Sequence, residues 1–241
     1  MKKLFGELAR WWPLVSPPDH YAEEAEFFAQ LFSQSGLSLS RSLLELGSGG
    51  GNNALHLKRA FARVTLSDLS PEMLSISHAL NPECEHVLGD MRTLRLGRSF
   101  DVVFAHDAID YMSTRRDLQQ AIETAFLHCK PDGLALFVPD YVRETFAPAT
   151  EHGRCDGHGR ALRYLEWTYD PDESDTSYTV EYALLLREDG APVRVEHEQH
   201  VCGLFSGAEW TEVLRIAGFQ PEIVRDGYGR ELFLARRRAG S

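Results

Sequence analysis

The sequence has little cysteine and lacks the features that mark a metal-bound, disulfide-linked or membrane-spanning chain. Its four cysteines, Cys84, Cys129, Cys155 and Cys202, are widely spaced without a C-x-x-C pair, so they indicate neither a zinc ribbon nor a disulfide framework. No apolar run reaches the roughly 18 residues that a membrane-spanning helix needs. Internal repeats and low-complexity segments are also missing. These absences predict a reduced, soluble, cytoplasmic protein without a membrane partner.

Positive charge is scarce as well. The 241 residues include 25 Lys and Arg against 36 Asp and Glu, which gives a formal net charge of −11. Such a surface disfavours broad contact with nucleic acid or anionic lipid, and the three arginines at 236–238 are too few to reverse this. A hydrophobic fraction of 43% is ample for a buried core, and the length fits one domain, alone or with a lid.

The chain does contain a glycine cluster between a strand and a helix. Residues 43–46 form a short apolar run typical of a buried parallel strand, and residues 53–59 follow as a helix. The glycines between them allow a sharp turn and a close approach of the backbone to a ligand. The pattern predicts a ligand cradle that opens a doubly wound α/β fold.

The spacing of the glycines bears on which ligand is bound. A dinucleotide fingerprint requires G-x-G-x-x-G, but here Gly47, Gly49 and Gly51 alternate, and Asn52 stands where the third glycine should be. An acid, Glu45, lies two positions before the first glycine. Both features argue against a nicotinamide dinucleotide.

Further motifs follow along the chain. The second strand, residues 63–68, ends in Asp68, which places a carboxylate at the carboxyl end of a neighbouring strand, where it can accept ribose hydroxyls. Ser70 and Pro71 then start a helix. The next predicted strands cover residues 87–92, 100–105 and 134–138. Three more, at 161–169, 177–187 and 192–201, are separated by short polar turns and predict an antiparallel meander.

Four of these stretches together resemble class I S-adenosylmethionine (SAM) methyltransferases. They are E-x-G-x-G-x-G at 45–51, D-x-S-x-x-M-L at 68–74, G-D-M-R at 89–92 and K-P-x-G at 130–133. Residues 19–25, 144–147 and 229–233 are further similar to the small-molecule type represented by nucleotide-linked amino-sugar N,N-dimethyltransferases. The resemblance implies SAM as cofactor, S-adenosylhomocysteine as product, and a seven-stranded, mostly parallel sheet with an inserted antiparallel β lid.

On this basis we expect four segments. Residues 1–36 are expected to form an N-terminal helical lid segment that starts irregularly, and residues 37–150 the Rossmann-like SAM-binding core. Residues 151–203 are expected to form the inserted β lid over the substrate, and residues 204–241 to complete the core with a helix and a hairpin.

The resemblance also implies the cofactor contacts. Glu45 would help to hold the methionine amino group, Tyr21 would touch the carboxylate end, and Asp90 would accept the adenine amine. The expected set is Tyr21, Glu45, Gly47, Ser48, Gly49, Asn52, Asp68, Leu69, Met73, Asp90, Met91 and Ala105.

Methyl transfer from a sulfonium is an in-line displacement, so a base is needed only if the acceptor arrives protonated. His106 leaves the fourth strand above the expected methyl position, and an ordinary histidine pKa near neutrality makes it the first candidate for that base. A hydrogen bond to cofactor or backbone is the alternative role. Tyr111 is expected either to orient the acceptor or to pack at the pocket edge.

Substrate contacts are expected from several segments. Asp107 and Asp110 suit a cationic amine, or else are solvated loop acids, and the resemblance implies that Arg230 faces phosphates. His197 and His200 lie on opposite faces of a strand, and we favour His197 as the one in the pocket. Trp11 and Trp12 are expected to serve in core or homodimer packing, or in a lid. The expected set is Trp12, Asp107, Tyr141, His158, His197 and Arg230.

The stretch 151–160 has no counterpart in the family and is interpreted as a mobile substrate loop. Its His152, Cys155 and His158 lack a fourth partner, so no metal is expected.

The predicted function is methyl transfer to nitrogen or oxygen of a small molecule, such as an amino sugar. A carboxylate O-methyltransferase, with the acid held by His and Arg side chains of 152–160, is the alternative within the class. An NAD(P)-dependent reductase and a non-catalytic SAM-binding protein are the alternatives outside it.

Overall fold

The computed structural model describes residues 2–34, 41–157 and 159–238, and in these ranges the chain forms two sheets with helices around the larger one. The strands are β1 (Ser42–Leu46), β2 (Arg63–Asp68), β3 (Glu85–Leu88), β4 (Phe100–Ala105), β5 (Cys129–Phe137), β6 (Ala149–Gly157), β7 (Arg160–Tyr169), β8 (Ser177–Glu188), β9 (Arg194–Gly203), β10 (Phe219–Arg225) and β11 (Glu231–Arg237). The α-helices are α1 (Trp12–Val15), α2 (Ala22–Gln34), α3 (Asn52–Leu57), α4 (Pro71–Leu80), α5 (Arg115–His128) and α6 (Gly207–Ala217).

The larger sheet has seven strands in the order β10-β11-β5-β4-β1-β2-β3. Strands β1 to β5 are parallel, β11 is antiparallel to β5, and β10 is antiparallel to β11. Strand β1 is buried throughout, because α2 packs Phe28 and Phe32 on one face while α5 and α6 cover the other. This arrangement confirms the predicted doubly wound α/β fold.

The helices begin and end largely where their capping residues indicate. Ser70 caps α4 by accepting the Met73 backbone N–H at 3.0 Å, and Thr114 caps α5 in the same way. Ser206 and Glu209 form a reciprocal capping box at the start of α6. Such a cap stabilises a helix by about 1 kcal/mol.

The smaller sheet is antiparallel, in the order β6-β7-β8-β9. The sequence predicted its last three strands and treated 151–160 as a loop; that interpretation is wrong, because residues 149–157 pair with β7 as a fourth strand. The alternation of apolar residues that marks a strand is missing there, since polar residues and glycine make up most of β6. At Gly153 the ring of Tyr164 lies so close that an added Cβ would be 2.3 Å from its Cε1. The partner strand thus supplies the apolar cover that β6 lacks.

The described residues before α2 form short helical turns rather than an irregular segment, and they join the small sheet to the glycine loop. Their apolar side chains pack on the small sheet through Leu4, Leu8 and Trp11 against Leu162, Leu184 and Leu186. At the other end, Asn52 Nδ2 donates to the Ser16 carbonyl at 3.0 Å. The N-terminal segment therefore spans the space between the two sheets.

Candidate active site

A cavity of about 940 Å³ lies between the two sheets. Its floor consists of the segments that directly follow the carboxyl ends of β1 to β5, the usual ligand position in an open parallel sheet. Its roof is the inner face of β6 to β9, and the N-terminal segment contributes one wall. The topology thus gathers residues from the whole chain around one chamber.

The glycine loop forms the closest approach of backbone to this cavity. Gly47 has a φ of +71°, and a Cβ at this position would lie 2.3 Å from Ala108 Cβ. The Gly47 and Ser48 N–H groups donate to the Ser67 carbonyl at 2.8 and 2.9 Å, which fastens the loop to β2. A side chain at Gly47 would therefore displace the exit of β4 or close the cavity.

Glu45 and Ser48 present buried polar atoms to the cavity. Glu45 is 2% exposed, and burial raises the pKa of its carboxyl to about 8. Within the described part of the chain, no hydrogen-bond donor reaches Glu45 Oε2, and Ser48 Oγ has no partner. A buried carboxylate without compensation favours a cation beside it. The two side chains therefore fit an ammonium group.

Asp68 ends β2 at the cavity wall. Its carboxylate accepts the backbone N–H groups of Gly49 and Ser70, each at 2.8 Å, and burial raises the pKa of this carboxyl. Each oxygen keeps a second lone pair for a ligand hydroxyl. Asp90 differs, because the Arg92 guanidinium lies 2.6 Å from it and lowers the pKa of that carboxyl.

Eleven of the twelve expected cofactor contacts line the cavity: Tyr21, Glu45, Gly47, Ser48, Gly49, Asn52, Asp68, Leu69, Met73, Asp90 and Met91. Ala105 does not. It is fully buried in the core, whereas Ala108, three residues later, lines the cavity.

His106 lies at the exit of β4 between two carboxylates. Its Nδ1 is 2.7 Å from Asp107 Oδ1, and its Nε2 is 3.1 Å from Glu24 Oε1. Burial alone would lower the pKa of His106, but Asp107 and Glu24 raise it to about 10. An imidazolium has no lone pair with which to take a proton. The raised pKa favours the imidazolium and so disfavours the expected role as a near-neutral general base, while the carboxylate contacts link α2 to the β4 exit.

Tyr111 and His200 form a polar contact at the base of the small sheet. The Tyr111 hydroxyl is 2.6 Å from His200 Nδ1, and burial raises the pKa of Tyr111 well above its ordinary value. Both side chains line the cavity. Tyr111 is thus fixed at the cavity wall as a neutral phenol.

The expected substrate contacts divide into three groups. Trp12, Asp107, Tyr141 and Arg230 line the cavity, and the ring of Trp12 lies against Gly50. His158 lies outside the described residues. The preference for His197 is wrong: its side chain is 69% exposed and lies 2.7 Å from Glu181, on the face of β9 turned away from the cavity. His200, on the opposite face, lines the cavity instead.

Several cavity residues were missing from the sequence-based set. Tyr178, Val180, Tyr182 and Leu184 all project inward from β8, and their alternation along that strand was the available signal. Asp140 follows β5 and contacts Asp110 through its backbone, a pairing of distant positions that no local pattern reveals.

Two further findings concern metals and membranes. In the ranges that the structure covers, no group of three or more His, Cys, Asp or Glu side chains is arranged to hold a metal ion. None of the helices in those ranges combines the length and the apolar character needed to cross a lipid bilayer.

Known proteins resemble this chain over most of its length. A family model described as a methyltransferase domain matches residues 43–133. The dTDP-3-amino-3,6-dideoxy-alpha-D-glucopyranose N,N-dimethyltransferase of Streptomyces fradiae is 28% identical over 95% of this chain and 90% of its own. YqeM of Bacillus subtilis, which is named as a methyltransferase, is 30% identical over 74% of this chain and 73% of its own. The crystal structure of Streptomyces venezuelae DesVI matches with a TM-score of 0.82 and 27% identity, covering 91% of this chain and 92% of that one.

A glycine cradle followed by an acid at the end of the next strand is typical of a nucleoside-cofactor site, and the buried, unpartnered Glu45 Oε2 favours a positively charged group beside it. The relatives identify which class of enzyme this is. The chain belongs to the class I SAM-dependent methyltransferases. SAM is its cofactor, and these relatives give no support to a nicotinamide-dependent reductase.

Proposed function

We propose that the enzyme transfers a methyl group to the amino nitrogen of a small molecule, with amino sugars as the substrate class. The observation that carries this proposal is the lining of the cavity beyond the glycine loop, where the carboxylates of Asp110, Asp140 and Glu166 lie among the rings of Tyr178 and Tyr182. Acidic and aromatic walls favour a cationic amine. Two relatives named as dTDP-amino-sugar N,N-dimethyltransferases match 95% and 89% of this chain, which supports the sugar class.

At the cofactor end of the cavity, we assign individual residues to the chemical groups of SAM. Glu45 and Ser48 are assigned to the ammonium group and Tyr21 to the carboxylate. Asp68 is assigned to the ribose hydroxyls, and Met91 to the adenine face. Bound there, SAM supplies an electrophilic methyl group. The chain's own residues then have to hold the acceptor nitrogen in line with it, and such alignment accounts for about 7–11 kcal/mol of the barrier.

The small sheet is assigned to covering the acceptor. Its inner face contributes Tyr164, Glu166, Tyr178, Tyr182 and His200 to the cavity. Because these side chains close the chamber above the β4 exit, the insertion at 151–203 excludes water from the reacting atoms in this proposal.

A carboxylate acceptor fits the cavity less well. The alternative needed His and Arg side chains of 152–160 to clamp the acid. His152 and Arg154 are exposed on the outward face of β6, Arg160 donates to the Arg10 carbonyl, and His158 lies outside the described residues. A carboxylate placed beside Asp110 and Asp140 would also meet like charge. Nitrogen is therefore the acceptor atom in this proposal.

The test is methyl uptake from labelled SAM by matched acceptors. The set contains dTDP-3-amino-3,6-dideoxyglucose, the free amino sugar, dTDP-6-deoxyglucose as a hydroxyl control and trans-aconitate as a carboxylate control. We expect product from the amine acceptors alone, identified by the mass of one or more added methyl groups. Methylation of trans-aconitate without methylation of either amine would refute the proposal.

A further inference from the structure

Two of the cavity carboxylates, those of Asp110 and Asp140, belong to residues that meet at the cavity wall under the small sheet. Asp110 follows β4, Asp140 follows β5, and the Asp140 backbone N–H donates to Asp110 Oδ2 at 2.9 Å. Asp110 is 4% exposed. Among the residues that the structure describes, no hydrogen bond reaches Asp110 Oδ1 or the Asp140 side chain, although both residues line the cavity. Asp110 is thus a buried carboxylate in the cavity lining, with its Oδ2 held by the Asp140 backbone.

The charges around the pair do not neutralise it. The cations on this side of the cavity are His106 and Arg230, and each is already held by two carboxylates. His106 faces Asp107 and Glu24, while Arg230 contacts Glu24 at 2.6 Å and Asp226 at 2.7 Å. The region beside the pair therefore carries an excess of negative charge.

Burial and nearby negative charge raise the pKa values of both acids. Burial raises the pKa of Asp110 well above its usual range, and the charge of Asp140 adds to this. Burial, together with the charges of Asp107 and Glu166, raises the pKa of Asp140 to about 7, against the opposing effect of His106 and Arg230. Two adjacent buried carboxylates either share a proton or take a cation between them.

The walls next to the pair are aromatic. The rings of Tyr141 and Tyr178 meet edge to face at 5.5 Å between centroids, and Phe146 lies 5.4 Å from Tyr178. Tyr178 is fully buried, and its neutral phenol leaves the carboxylates as the nearby anions. Aromatic faces attract ammonium groups and tolerate added methyl groups.

We propose that Asp110 and Asp140 bind the ammonium group of the acceptor and take the proton that it must lose before methyl transfer. This inference rests on the proposed amine substrate and names the groups that recognise it. The pair is proposed in place of His106, because the two carboxylates beside His106 raise its pKa and favour its protonated form.

The proton and electron balance of the step is simple. The bound ammonium R–NH₃⁺ gives one proton to the aspartate pair and becomes R–NH₂. Its lone pair forms the new N–C bond while the methyl C–S bond breaks, and sulfur keeps that electron pair. The product leaves as R–NH₂CH₃⁺, and the pair returns its proton to water before the next turnover.

The first experiment measures cation binding without turnover. Wild type, Asp110→Asn, Asp140→Asn and the control Glu26→Gln, which alters an exposed acid of α2, are saturated with S-adenosylhomocysteine. Tm is then followed with increasing dimethylammonium chloride against equal NaCl. We expect dimethylammonium to raise Tm beyond the salt effect in wild type and control, and not in the Asn variants. No specific rise in wild type, or an equal rise in the Asn variants, would overturn the proposal.

The second experiment measures turnover with dTDP-3-amino-3,6-dideoxyglucose. Loss of a proton acceptor is expected to lower kcat/KM about 10²- to 10⁴-fold in the Asn variants, while S-adenosylhomocysteine raises Tm as in wild type. Values within twofold of wild type would refute the role of the pair. If Asp110→Asn fails to fold, Asp140→Asn decides, because its side chain accepts no hydrogen bond from the described residues. If wild type methylates carboxylates instead of amines, the proposed function fails, and the dimethylammonium readout still decides whether the pair binds a cation.

Discussion

Replacing Glu45 by Gln should separate stability from cofactor binding. Glu45 is buried and lacks a hydrogen-bond partner at Oε2, so its charged carboxylate destabilises the ligand-free folded protein. When SAM or S-adenosylhomocysteine is bound, the proposed contact with the ligand's ammonium group stabilises the carboxylate. We therefore expect Glu45→Gln to make the ligand-free protein more stable and the ligand weaker.

The size of the stability effect follows from the pKa. Burial raises the pKa of Glu45 from 4.5 to about 8, so the folded state keeps a proton that the unfolded state loses. Because the pKa is higher in the folded state than in the unfolded state, the free energy of unfolding falls as pH rises from 4.5 to 8. At pH 7 the loss amounts to about 3 kcal/mol. Glutamine does not ionise, so Glu45→Gln should raise Tm at pH 7 by at most about 10 °C. No gain is expected at pH 4.

The size of the binding effect follows from the lost charge. A hydrogen bond to a charged group contributes about 1.5–3 kcal/mol, so affinity for S-adenosylhomocysteine should fall about 10- to 100-fold. In wild type at pH 7, binding should release about 0.9 proton, because a group with a pKa near 8 must ionise to meet the ammonium. Glu45→Gln should release none from this site.

Calorimetry in buffers of different ionisation enthalpy measures affinity and proton release together, and thermal melts from pH 4 to pH 8 measure stability. Glu26→Gln, with the same chemical change on an exposed part of α2, is the matched control and should behave as wild type. An unaltered affinity in Glu45→Gln, or a Tm difference that does not change with pH, would contradict the reasoning.

Three further substitutions address single assignments. The imidazolium of His106, with a pKa raised from 6.5 to about 10, stabilises the fold fully below pH 6.5 and loses this effect as pH rises through 10. His106→Gln should therefore lower Tm at neutral pH and converge with wild type above pH 10; parallel curves would refute the ion-pair role. Asp68→Ala should weaken S-adenosylhomocysteine binding with little change in KM for the acceptor, and unchanged affinity by calorimetry would end the ribose assignment. Tyr111→Phe removes the contact with His200 and should cost about 1 kcal/mol of stability with kcat within a few-fold; a hundredfold fall in kcat would make Tyr111 a catalytic group.

The sheet and the cofactor end of the cavity were predictable because local patterns specify them. The apolar run of β1, the glycines after it and Asp68 at the end of β2 each lie within a few residues of the position they define. The helix caps of α4, α5 and α6 are equally local. Ala105 was misplaced for a related reason: the pattern gives the end of β4 but not which side of the sheet its last side chain covers.

The pKa of His106 is a property that local sequence patterns do not predict. The sequence placed His106 correctly above the carboxyl end of β4, but its pKa depends on Glu24, which arrives from α2, as well as on its neighbour Asp107. The charge of a buried histidine is set by partners that tertiary folding brings together. The position of His106 was predictable from the sequence, whereas its pKa was not, and this is why the proposed proton acceptor is the aspartate pair.

In the small sheet, strand register determines which side chains face the substrate cavity. Its strands expose His152 and His197 on the outer face and direct Tyr178, Tyr182 and His200 inward. A shift of one residue in strand register would exchange these sets and fill the chamber with different chemistry. In β6 the register is specified less by its own polar residues than by the packing of Tyr164 over Gly153. Under the proposed function, acceptor recognition therefore depends on cross-strand packing, while cofactor recognition depends on the loop after β1.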